Sequence, residues 1–132
     1  MAKNHTPTEY AEQCQVIAWS RMMAATTEPR LALLHGDASG VRVGIGAALK
    51  MRKAGAVKGW PDLFLPVTYK YEPAGHPVSY GLFIELKRRR GGVVSPEQRT
   101  VHSMLQEQGY RVEVCKGADE AIKVISEYLG IH

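Results

Sequence analysis

The chain has little cysteine: Cys14 and Cys115 are its two thiols, far apart and without a Cys-x-x-Cys partner. That excludes a disulfide framework and a thiolate zinc site, and it fits a reducing compartment. The expected location is the cytoplasm, or the host cytoplasm if the chain is of phage origin. No apolar run approaches the ~20 residues that a membrane helix needs. The polar start Met1-Ala2-Lys3-Asn4-His5 leads into none, so neither membrane insertion nor secretion is expected. The five histidines show no ligand spacing, which disfavours a zinc hydrolase or a histidine-metal nuclease. His35, alone beside apolar residues, reads as structural. Repeats and low-complexity tracts are also missing. An acidic excess is absent too: 17 Lys and Arg face 13 Asp and Glu, for a net charge of +4. This balance is compatible with a polyanionic partner without demanding one.

What is there is a chain of 132 residues, 45% hydrophobic and 23% charged, enough for one globular domain over residues 1–132 with a real core. Two short apolar runs within it each carry an acid. Asp62 opens Leu63-Phe64-Leu65 and Glu85 closes Leu82-Phe83-Ile84, so both acids read as residues at the ends of buried β-strands. Strand side chains alternate faces, which puts Glu85 and Lys87 on one face, about 6.6 Å apart, and Leu86 in the opposite layer. Asp62 on a neighbouring strand would complete an acid, acid and ammonium cluster. Two crowded carboxylates raise each other's pKa unless a cation sits between them. The simplest such cation is a hard divalent metal held by oxygen ligands.

Helices flank these strands. Thr6-Pro7-Thr8-Glu9 reads as a capping box with Thr6 as N-cap, and a helix follows to about Met23. On its wheel Glu12 lies between Val16 and Trp19 and faces inward, while Glu9 sits at the edge of that stripe. Leu31-Ala32-Leu33-Leu34-His35 reads as a short strand and Gly36-Asp37-Ala38-Ser39-Gly40 as a loop. Residues 45–54 form a basic helix with Gly55 at its C′ position. Ser95-Pro96-Glu97-Gln98 is a second capping box, opening a helix with a Val101, Met104 and Leu105 stripe that Gly109 ends. Residues 110–114 alternate as a strand. A final amphipathic helix follows, marked by Ala118, Ala121, Ile122, Ile125 and Leu129. The order predicts an α/β fold, a mixed sheet flanked by helices.

Pro61-Asp62 followed by Glu85-x-Lys87 resembles the PD-(D/E)xK nuclease superfamily, which includes restriction enzymes and Holliday-junction resolvases. With the acidic first helix, the Gly59-Trp60-Pro61-Asp62 turn and the helix opened by Ser95-Pro96-Glu97-Gln98, the ensemble is similar to the VRR-NUC (virus-type replication-repair nuclease) family over nearly the whole chain. The resemblance implies a restriction-endonuclease-like mixed central sheet and Mg²⁺- or Mn²⁺-dependent phosphodiester hydrolysis. Asp62, Glu85, the Leu86 carbonyl and Glu12 would hold the metal, with Glu9 as the alternative helix acid. Lys87 would stabilise charge, and Gln98 would add a polar contact. Gln98 also has its capping duty, and the two jobs are expected to be served one at a time.

Arg88-Arg89-Arg90, emerging directly from the cluster, are placed to bind phosphates flanking the cleaved bond, and Gly91-Gly92 let the backbone approach. Lys50, Arg52, Lys53 and Lys58, just before Asp62, are candidates for a phosphate track. Tyr69, Lys70 and Tyr71 read as a surface hairpin, with base stacking as the alternative. Standalone members of the similar family act as homodimers on Holliday junctions, so the implied partner is branched or four-way DNA. The competing readings are a nonspecific or flap-type DNA nuclease and a non-catalytic DNA-binding module. The last predicts a broken acidic cluster, and here Asp62, Glu85 and Lys87 are all intact.

Overall fold

A computed structural model describes residues 5–37, 43–71 and 76–131. Helix α1 (Glu9–Thr26) leads through a 3-10 turn (Pro29–Leu33) into a two-residue strand β1 (His35–Gly36). Then come α2 (Ile45–Lys53), β2 (Leu63–Leu65), a hairpin of β3 (Tyr69–Tyr71) and β4 (His76–Ser79), β5 (Leu82–Lys87), α3 (Pro96–Glu107), β6 (Arg111–Lys116) and α4 (Ala118–Leu129). The sheet order is β1-β2-β5-β6, antiparallel except for the parallel β5–β6 pair, with the hairpin as a separate unit. The expected mixed sheet flanked by helices is the observed fold. No helix among the described residues is long and apolar enough to cross a membrane.

Strand alternation divides the sheet's chemistry. Leu63 and Leu65 of β2 and Leu82, Ile84 and Leu86 of β5 are buried in one core cluster with Val16 of α1 and Ala121 and Ile125 of α4. Each of those five strand side chains contributes roughly 2 kcal/mol by leaving water. The register pairs Leu63 with Ile84 and Phe64 with Phe83. On the opposite face Phe64 therefore stacks on Phe83 at 4.2 Å, and Tyr110 packs edge-on to both. Continuing that register by one step brings Asp62 opposite Glu85, on the face that α3 covers. The aliphatic layer carries the stability, which lets the other face hold charge.

Several local expectations are corrected. The first helix is capped by Thr8, not Thr6: the Ala11 N–H donates to Thr8 Oγ1, while the Thr6 carbonyl accepts from Arg88. Leu31–Leu33 form a 3-10 turn instead of a strand, because Glu28 caps the segment and Pro29 starts it, and strand pairing begins only at His35. On α3 the inward residues are His102 and Leu105, and Met104 is 61% exposed. Tyr69 packs on Tyr128 at 5.5 Å, in keeping with an ordinary strand tyrosine. The side chains of Lys70 and Tyr71, and the loop at Ala38-Ser39-Gly40, lie outside the described residues.

Candidate active site

Asp62, Glu85, Lys87 and Gln98 meet at the end of the β2–β5 ladder. Glu85 is 1% exposed, Lys87 7% and Asp62 9%. Beyond Leu63 there is no β2 residue to pair with β5, and the Asp62 side chain takes that place: its Oδ2 accepts the Leu86 N–H at 2.7 Å. The N–H and C=O of one strand residue point to the same side, so the Leu86 carbonyl faces the same open edge. The Asp62 loop is held by Gly59, whose φ is +88°. A Cβ at that position would stand 2.7 Å from the Glu97 backbone. Both the turn and its contact with α3 therefore require glycine.

Burial first, then the hydrogen bond and charge of Asp62, push the Glu85 carboxyl up to about 10, with Glu9 adding to the effect and Lys87 opposing it. At neutral pH Glu85 therefore holds its proton in the metal-free protein. His102, which carries no motif of its own in the sequence, places Nε2 3.3 Å from Glu85 Oε1. Burial and the Lys87 charge, offset in part by Asp62, hold this imidazole below its ordinary range, so it meets Glu85 neutral. The available signal was its spacing, three residues before the buried Leu105.

Gln98 keeps its capping duty and at the same time meets Lys87. Its Oε1 accepts the Ser95 N–H at 2.9 Å, closing the capping box, and Lys87 Nζ at 3.0 Å. An sp² oxygen has two lone pairs, so the Ser95 and Lys87 contacts coexist.

Glu12 is fully buried as expected, but it points away from this cluster. Its Oε1 accepts from Arg89 Nε at 2.9 Å and its Oε2 from the Ala118 N–H at 2.5 Å. Helix α4 has Gly117 as N-cap and no side-chain cap of its own, so Glu12 caps it from α1. Burial alone would push this carboxyl up, but Arg89 and the Ala118 N–H hold it below its ordinary value. Glu9, not Glu12, shares a cleft with Asp62, Glu85 and Gln98. Both Glu12 oxygens are engaged by Arg89 and Ala118, and from α1 it is Glu9 that lines the cleft.

Arg89 is likewise committed to Glu12, with Asp119 3.7 Å away, and does not stand free for a phosphate. Arg88 and Arg90 are exposed. The cleft, about 360 Å³, is rimmed by Arg52 and Lys58, whereas Lys53 is exposed on α2 outside its lining.

No group of three or more His, Cys, Asp or Glu side chains is preassembled for a metal among the described residues. The donor set is two carboxyls, a backbone carbonyl and Glu9 at the cleft wall. All are oxygens; Asp62 and Glu85 are buried and Glu9 is half-buried. They fit a hard divalent cation.

A mixed sheet with its acids and lysine at one strand end, under a capped helix, defines a restriction-endonuclease-like nuclease. The VRR-NUC domain family model matches residues 3–119, and the chain belongs to that family. Among solved structures, a "VRR_NUC domain protein" superposes with a TM-score of 0.75 at 27% identity, covering 96% of this chain and 92% of that one. No curated protein matches the sequence. The family is one of nucleases that are generally metal-dependent, with DNA as the implied substrate.

Proposed function

We propose that the chain is a Mg²⁺- or Mn²⁺-dependent endodeoxyribonuclease that cuts branched DNA, with four-way junctions as its preferred substrate and a homodimer as its working form. The observation that carries the hydrolytic reading is the buried Asp62–Glu85 pair beside a Lys87 that Gln98 holds in place. Asp62, Glu85, the Leu86 carbonyl and Glu9 would hold the cation. Bound there, it polarises a phosphodiester and lowers the pKa of water toward ~7. Lys87 places a fixed positive charge where the phosphate gains negative charge, and Gln98 fixes its direction. Arg52 and Lys58 at the rim, with Arg88 and Arg90, hold flanking phosphates.

The dimer is supported by Ile45 and Leu49, which leave 84% and 53% of their surface exposed on α2. A two-fold pair of sites would match the symmetry of a four-way junction. The test is nicking of linear, flapped, bubbled and four-way DNA of matched sequence with either metal, together with sedimentation. A dimer that prefers the four-way junction is expected. A monomer that degrades linear duplex as fast would replace this reading with that of a nonspecific nuclease.

His102 is expected to support metal binding by holding Glu85. His102→Ala should weaken Mn²⁺ affinity about 10- to 100-fold in calorimetry, as loss of a hydrogen-bonded partner behind a ligand does. Unchanged affinity would reduce His102 to packing.

A further inference from the structure

The cleft has a second wall that the hydrolytic machinery does not use. Besides the acids the cleft lining has an apolar part, with Trp60, Val57, Met51 and Ala48, and two cations, Arg52 and Lys58. Trp60 is 38% exposed, although its neighbours Pro61 and Asp62 are buried. Its ring meets Phe83 at 5.5 Å and 89°, and Phe83 is itself stacked on Phe64, so the indole stands on a rigid base. Gly59, wedged against α3, fixes the loop that carries it. Val57 leaves 53% of its surface open beside it.

We infer that this wall receives a nucleobase swung out of its stack, with Trp60 as the platform, so that the strand to be cut is unpaired next to the cleaved phosphate. The inference rests on the nuclease reading and deepens it. A volume of about 360 Å³ is at the small end of ligand sites and suits one nucleotide, not a stacked duplex. The chemistry is graded to match: an apolar aromatic surface for the base, and cations at the rim for its phosphate. The Lys58–Glu97 pair, 3.5 Å apart with both side chains well exposed, is weak enough to exchange for that phosphate. Stacking tolerates any base, so the site selects for local unpairing and not for sequence.

Trp19 and Trp60 are the two tryptophans, so a Trp19→Phe background isolates the signal of Trp60. Without divalent ions, a duplex carrying one unpaired nucleotide should quench Trp60 emission, and a fully paired duplex of equal length should not. Trp60→Ala should weaken binding of the first DNA about 5- to 100-fold, to the level of the second, and Trp60→Phe should keep most of the affinity. Equal quenching by both DNAs, or equal affinity loss for both in Trp60→Ala, overturns the inference. Since no cleavage is read, these outcomes are separate from those of the nuclease reading, which fails if neither metal supports cutting of any DNA.

Discussion

Glu85→Gln and Asp62→Asn should each lower metal-dependent DNA cleavage by about 10³-fold or more, read as nicking of a four-way junction under single-turnover conditions. Both substitutions keep the shape of the site. Asparagine retains an oxygen to accept the buried Leu86 N–H, whereas alanine would orphan that donor at a cost of about 1–3 kcal/mol. The same variants carry a second signature in the metal-free protein. The folded pKa of Glu85 is raised, to about 10 from an ordinary 4.5. The native state therefore holds a proton that the unfolded chain releases, and stability falls as pH rises between those values. The slope is at most about 1.4 kcal/mol per pH unit. Glu85→Gln should flatten that decline and melt above the parent protein at pH 8. Saturating Mn²⁺ should flatten it in the parent as well, because the cation displaces the proton. Cleavage at the parent rate by either variant would remove the pair from the chemistry.

Glu12→Ala should lose stability instead of chemistry. The change leaves the buried Ala118 N–H without an acceptor and opens a cavity under α4, for about 3 kcal/mol in total. The ion pair itself adds little, because the Arg89 side chain is 44% exposed. A loss of that size corresponds to a melting temperature about 10 °C lower. Glu12→Gln, which keeps a carbonyl for Ala118, should melt closer to the parent and still cut DNA. Glu9→Gln should do the reverse, melting normally and cutting poorly. Full activity in Glu9→Gln with none in a folded Glu12→Gln would return the helix acid to Glu12. The acid limb of the stability curve tests the same contact. The carboxyl of Glu12 is held below its ordinary value, so its contribution is present above that value and is lost as pH falls through the folded pKa.

The strand acids and the α3 cap were legible because each is a local pattern: an acid at the edge of an apolar run, and Ser-Pro-Glu-Gln at a helix start. The alternation rule placed Glu85 and Lys87 on one face before any contact was known. Glu12 is buried as its place on the helical wheel predicts, and its oxygens are engaged by Arg89 and Ala118. A helical wheel gives the angle at which a side chain leaves its own helix, and it is blind to a partner 106 residues away such as Ala118. The pairing of Arg89 with Glu12 is equally hidden in the sequence, since three adjacent arginines look alike until one of them finds a buried acid. His102 was hidden by a stripe that ran equally well through Met104. Residues 31–35 illustrate a different limit: five residues of mostly apolar character fit a strand or a tight turn, and the Glu-Pro pair before them decided the matter.

The two contacts of Gln98 tie the position of Lys87 to the integrity of one helical turn. Helix ends open more readily than the strands beneath them. When the first turn of α3 unwinds, the Gln98 oxygen leaves both Ser95 and Lys87, and the ammonium is released while the Leu63–Ile84 ladder still stands. Thermal inactivation is therefore expected below the temperature at which the core comes apart, and it is expected to reverse on cooling.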